Sequence, residues 1–265
     1  MRKPAIPAPI GVVIGALVAG LVLLCAGQAP AKDPDIRVLC SNGIKAAMEA
    51  LIPEAERATG RTIVIQFSSS AALKRSIDGG EPFDLAILTP AIVDDLIKAG
   101  KIQAGTHTDL ASAALAVGVR AGAPKADVGT PEAMKRRLLA AKSITYTKEG
   151  AASAAIASMV RSLGIQDQLA SRTTLQTVPG HAAEAVAKGE HELVFAPLSE
   201  ILPVHGVEVL GLFPEQFQAP VVMTAGVAAG ARDPDGAKAL IKFMTSSKAV
   251  PAIKASGMEP ASVAR

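Results

Sequence analysis

Short apolar runs, partly β-branched, alternate with longer amphipathic segments along the first half of the chain. Ile36-Arg37-Val38-Leu39-Cys40 is followed by Ile44 to Thr59, then Ile63-Val64-Ile65-Gln66-Phe67, then Ala71 to Asp78. Runs of period two that alternate with segments of period 3.6 predict βαβ units and a parallel sheet. Leu85-Ala86-Ile87-Leu88 predicts a third strand, and Pro90, placed for a first helical turn, opens a helix reaching Ala99. The apolar stretch Leu110 to Val119 ends in the turn-rich Arg120-Ala121-Gly122-Ala123-Pro124 and reads as a strand crossing to a second lobe.

The second lobe repeats the logic. It predicts helices over Pro131 to Ala140 and Ala151 to Leu163, and strands over Ser143 to Thr147, near Thr174 to Val178 and at Leu193 to Ala196. A second apolar stretch, Val221 to Ala229, carries the chain back, and helices at Ala237 to Thr245 and Val250 to Ala255 close the first lobe. The expected architecture is α/β and two-lobed, with lobe I at 32–115 and 223–265, lobe II at 116–222, and two strands as the hinge.

Residues 1–31 read as a signal peptide. Arg2 and Lys3 precede an apolar run from Ile10 to Cys25, too short for a comfortable membrane span, and Ala29-Pro30-Ala31 offers a cleavage site after Ala31. Retention as an anchor helix is the alternative, and Leu24 argues against a lipid on Cys25. Cleavage leaves 25 basic against 24 acidic residues, a balance that gives no support to a nucleic-acid partner. Cys40 then has no cysteine partner within the chain, so the exported protein, expected in the periplasm, relies on its core. With no Trp and one Tyr, the aromatic surfaces that grip sugars or bases are scarce.

In open α/β sheets, ligands bind beyond the carboxyl ends of the strands, where loops lead into helix N-termini. Those loops are Ser41-Asn42-Gly43, Ser68-Ser69-Ser70 and Thr89-Pro90 in lobe I, and Lys148-Glu149-Gly150-Ala151-Ala152-Ser153 and Pro179-Gly180-His181 in lobe II. Their hydroxyls and backbone amides suit an anion. The serine run is the strongest signal, although N-capping of the following helix explains it as well. Lys74, Arg75 and Lys148 stand near helix N-termini, where a cation opposes the dipole, so a charged ligand would account for them. Glu149, His181 and Glu200 are the groups near the cleft that could move a proton. No G-x-S-x-G elbow, P-loop or H-E-x-x-H occurs, and His107, His181, His191 and His205 lack metal-ligand spacing with Cys40, so neither a metal nor a cofactor is expected.

Three segments carry a resemblance: Val38-Leu39-Cys40-Ser41-Asn42-Gly43, Phe67-Ser68-Ser69-Ser70-Ala71-Ala72-Leu73, and Gly80-Glu81-Pro82-Phe83-Asp84-Leu85-Ala86-Ile87. Together they resemble the periplasmic molybdate-binding protein family of ABC importers, from about residue 35 to about residue 258. The resemblance implies a type II periplasmic-binding fold and an oxyanion held by neutral donors. The family's second-loop serines correspond to Ser69 and Ser70. Gly43 stands where a first-loop serine is expected, with Ser41 close by, and the late tyrosine falls at Pro197, which removes that donor.

Two functions stay open. One is a monomeric receptor that captures a small anion and passes it to ABC-importer membrane subunits. The other is an isomerase, because a bacterial aconitate isomerase is similar to the same family. It would use Lys74, Arg75 and Lys148 for the carboxylates and Glu149 or His181 for an allylic proton.

Overall fold

The computed structural model describes residues 35–178 and 180–261; the leader, its cleavage point after Ala31, and Cys25 lie outside the described residues. Strand β1 (Ile36–Ser41) pairs in parallel with β2 (Ile63–Ser68) and β3 (Leu85–Leu88). Five of its six residues are buried, as a strand covered on both faces requires. Helix α1 (Lys45–Thr59) buries Ala47, Met48, Leu51 and Ala55, a stripe at helical spacing. It stops at Gly60, whose φ of 68° lets its amide close back onto the Glu56 carbonyl. Helices α2 (Ser70–Asp78) and α3 (Pro90–Lys98) follow β2 and β3 as the sequence pattern predicts.

The first sheet is completed by β4 (Thr108–Ala113), β10 (Val221–Val227) and β11 (Glu259–Pro260), in the order β11-β4-β10-β3-β1-β2. The second has the order β7-β6-β8-β5-β9, built from β5 (Leu115–Arg120), β6 (Ile144–Thr147), β7 (Thr173–Gln176), β8 (Leu193–Pro197) and β9 (Val207–Leu212). Between them lie α4 (Pro131–Ala140), α5 (Ser153–Ser162), α6 (Gln166–Ala170), α7 (His181–Ala187) and the four-residue α8 (Leu198–Ile201). Helices α9 (Pro234–Met244) and α10 (Val250–Ala255) lie between β10 and β11.

One expectation changes in form. The apolar stretch from Leu110 to Val119 is two strands, because Ala113 still pairs with Val221 in the first sheet while Leu115 already pairs with Pro197 in the second. A single residue, Ala114, separates them, and residues 213–220 make the return. Strand β9 and helices α6 to α8 carry no strong sequence signal: each is short, and β9 (Val207–Leu212) alternates too weakly to stand out.

Buried Asp84 fastens the first sheet to the segment after β10. Its carboxylate accepts from the Arg37 amide at 2.8 Å and the Arg232 amide at 2.7 Å, and its carbonyl accepts from Ala228 at 2.9 Å. Cys40 is a buried free thiol; desolvation, with a smaller push from Glu49, raises its pKa and keeps it neutral. Among the described residues no helix is long and apolar enough to cross a membrane.

Candidate functional site

Strands β1 and β2 of the first sheet and β6 and β8 of the second lead at their carboxyl ends into a common cleft. Ser41, the last residue of β1, caps the short turn Asn42–Ile44, its Oγ accepting from the Gly43 amide at 3.4 Å. Beyond β2, the Ser69 Oγ accepts from the Ala72 amide and so caps α2. The Ser70 Oγ accepts from the Thr89 amide at the foot of α3. Each hydroxyl spends a lone pair on the backbone and keeps its proton to donate. The first amides of α2 have no intrahelical acceptor, which adds donors and a partial positive charge at the same place.

These groups line a small cavity of about 10 Å³ with Asn42, and the second sheet supplies its other wall through Thr147, Gly150, Ala151, Gly180 and Glu200. Two further cavities share part of this lining. One, of about 10 Å³, runs past Ser153, Phe195 and Pro197. The other is wider and opens past Lys45, Glu49, His181 and Glu184.

The two lobes touch at this cleft. The Ser199 Oγ donates to the Gly43 carbonyl at 2.7 Å, a buried bond, and the exposed Arg75 guanidinium meets Glu149 at 2.8 Å. Gly180 adopts φ 86°, and a side chain there would begin 3.9 Å from the Asn42 amide nitrogen.

Of the residues singled out in the sequence, Ser41, Asn42, Ser69, Ser70, Gly150 and Ala151 lie together around the main cavity, and His181 lies in the wider one. Gly180 and Glu200 line the main cavity as well, whereas Gly43, Ser68, Lys74, Arg75, Thr89, Lys148 and Glu149 lie outside these linings. Lys74 is held by Asp78 on its own helix at 2.7 Å. Thr89 uses its amide on Ser70, while Lys148 uses its amide on the Gln176 carbonyl and keeps its side chain in solvent. Ser68 ends β2 without reaching the cavity lining. Glu149 serves Arg75 at the rim, and Arg75 lies in the last turn of α2 and not at its start, so the cations of that helix are already balanced by protein carboxylates. Gly43 is buried, and a Cβ there would stand 2.8 Å from Met223 Cε, so its side is turned to β10. Thr147 is an addition; the end-of-strand rule that located Ser41 points to it equally. Pro197, which lines the smaller neighbouring cavity, has no N–H to donate.

Glu200 stands apart. It belongs to α8, lines all three cavities, and among the described residues its carboxyl has neither hydrogen-bond partner nor cation. Desolvation pushes its pKa up to about 7, so near neutrality both protonation states are populated. Among the described residues no group of three or more His, Cys, Asp or Glu is arranged to hold a metal ion.

Comparisons with known proteins agree with this architecture. The chain is 29% identical over 252 residues to an aconitate isomerase of a Pseudomonas species, covering 92% of this chain and 95% of that protein. It is 26% identical over 250 residues to the molybdate-binding protein ModA of Azotobacter vinelandii, covering 91% and 94%. The solved periplasmic molybdate-binding protein of Azotobacter vinelandii superposes with a TM-score of 0.72 at 20% identity, covering 84% of this chain and 98% of that one. The type II periplasmic-binding fold and the molybdate-binding-protein-like resemblance are thereby borne out. A family model for bacterial extracellular solute-binding proteins matches residues 36–259, and the chain belongs to that family.

Proposed function

We propose that this chain is an exported receptor that closes over one small anion and delivers it to ABC-importer membrane subunits. The convergence of neutral donors carries the reading. Hydroxyls of Ser41, Ser69 and Ser70, the Asn42 amide and the open end of α2 all meet in one cavity, and among the described residues no lysine or arginine lines it. Ser41, Asn42, Ser69, Ser70, Gly150 and Ala151 hold the anion in this reading. Residues 32–115 with 223–265 move as one lobe against 116–222, and the protein works as a periplasmic monomer after cleavage near Ala31.

One observation favours a second reading. Isomerisation of an allylic tricarboxylate needs a group that takes a proton from one carbon and returns it to another, and such a group works best with a pKa near the ambient pH. Glu200 meets that requirement better than Glu149, which is ion-paired at the rim. The 29% identical relative that is an aconitate isomerase points the same way.

A thermal-shift screen of the mature protein against molybdate, tungstate, sulfate, phosphate and di- and tricarboxylates tests both readings, with NMR of each carboxylate mixture after incubation. A ligand that binds the folded state alone raises the melting temperature with the logarithm of its concentration. The receptor reading expects a shift with an unchanged ligand spectrum; conversion of trans- to cis-aconitate would replace it with the isomerase, and E200Q should then abolish turnover while retaining binding.

The rim pair gives a smaller expected effect. Arg75→Ala should change stability by less than about 1 kcal/mol, because both partners are exposed. It should speed anion release a few-fold in low salt and not at all near 1 M salt, where screening acts within about 3 Å. Stopped-flow release at the two salt concentrations reads the difference, and equal acceleration in both would deny the pair a role in closure.

A further inference from the structure

Glu200 shares the main cavity with the hydroxyls and amides that face the anion, yet it is itself an acid. An ionised carboxylate beside a bound anion in a cavity with little water would repel it strongly. Most of the cations that could offset this repulsion face protein carboxylates, and Lys148, next to Thr147 of the cavity wall, keeps its side chain in solvent. From α1, Lys45 lies 3.7 Å from Glu49 and over the Phe67 ring, and from α7, His181 shares the wider cavity with Glu184. From α2, Arg75 is bound to Glu149 and Lys74 to Asp78. Among the described residues Glu200 is the only ionisable one lining the main cavity.

Resting on the anion-binding reading of the same cleft, we infer that capture is coupled to a proton: Glu200 enters the closed complex as the neutral acid and donates its O–H to the anion. The proton balance is simple. Where Glu200 is ionised before binding, one proton is taken from the buffer for each fully ionised anion captured, and it is returned on release. Burial already favours the neutral acid in the empty cleft, and a bound anion extends that preference to higher pH. The coupling also sets specificity. A fully ionised anion such as sulfate is penalised as pH rises above neutrality, whereas one carrying its own O–H, such as hydrogen phosphate, can donate to the ionised carboxylate and escapes the penalty.

Titration calorimetry of the wild-type protein with sulfate, molybdate and trans-aconitate, at pH 8 in two buffers of different ionisation enthalpy, counts the protons. The expected uptake is about 0.9 proton per anion, with affinity falling toward tenfold per pH unit above neutrality. E200Q, whose amide imitates the neutral acid, should take up none and hold its affinity level from pH 6 to 9. His181→Gln should keep the uptake per anion bound, whatever its affinity. Binding without proton uptake in the wild type overturns the inference and leaves the anion reading standing, as does uptake that persists in E200Q or vanishes in His181→Gln. Should none of the three anions bind at any pH, the anion reading fails and the inference falls with it.

Discussion

Asp84→Ala is expected to lower the free energy of unfolding by about 3 kcal/mol, the largest stability loss anticipated for a single polar side chain here. The carboxylate is 1% exposed and receives two backbone amides, those of Arg37 and Arg232, from segments almost two hundred residues apart in the chain. Truncation strands both donors at the edge of the core, and each buried unsatisfied group costs about 1–3 kcal/mol. The Arg232 guanidinium, 3.8 Å away, loses its counter-charge as well, though its own exposure makes that a minor part. Urea unfolding should show the midpoint falling by about 1 M or more. Asp84→Asn, which keeps one acceptor, should lose about half as much; if alanine costs less than about 1 kcal/mol, water has replaced the carboxylate and the fastening is weaker than its geometry suggests.

Replacing Ser69 and Ser70 together by alanine should weaken anion binding by at least about 100-fold. Two hydrogen bonds to a charged ligand are each worth about 1.5–3 kcal/mol, and nothing nearby can replace them. The same change removes the cap of α2 and the acceptor of the Thr89 amide, so stability should fall too, by about 1 kcal/mol for the cap. Binding is therefore to be measured well below the melting temperature of the variant. Ser68→Ala supplies the contrast: its side chain does not line the cavity, and affinity should stay within about threefold of wild type. Equal losses for Ser68→Ala and the double variant would mean that the loop acts through its backbone course and not through those hydroxyls.

Much of the fold is legible in the sequence because parallel strands buried on both faces leave dense apolar runs, and the helices between them carry a clear period. Leu85 to Leu88 is an example, with all four residues buried. The sheet change inside Leu110 to Val119 is not legible, because an apolar run reports burial and says nothing of which neighbour supplies it. Donor loops are legible for a related reason: a hydroxyl placed directly after a strand is an end-of-strand feature, as at Ser41, Ser69 and Ser70. The charges mislead. Lys74 and Arg75 look unopposed beside a helix start, yet Asp78 lies one turn on and Glu149 arrives from the other sheet, a contact that no local pattern announces. Glu200 is visible as a titratable group near the cleft, but its isolation from any partner is a property of the assembled walls.

The two contacts that tie the lobes beside the cavity differ in kind. The bond from Ser199 to Gly43 is buried and neutral, whereas the Arg75–Glu149 pair stands in solvent. Dissolved salt weakens the second and leaves the first alone. For the exported receptor proposed above, fresh and brackish surroundings would set different residence times for a captured ion, while the groups that choose the ion stay the same.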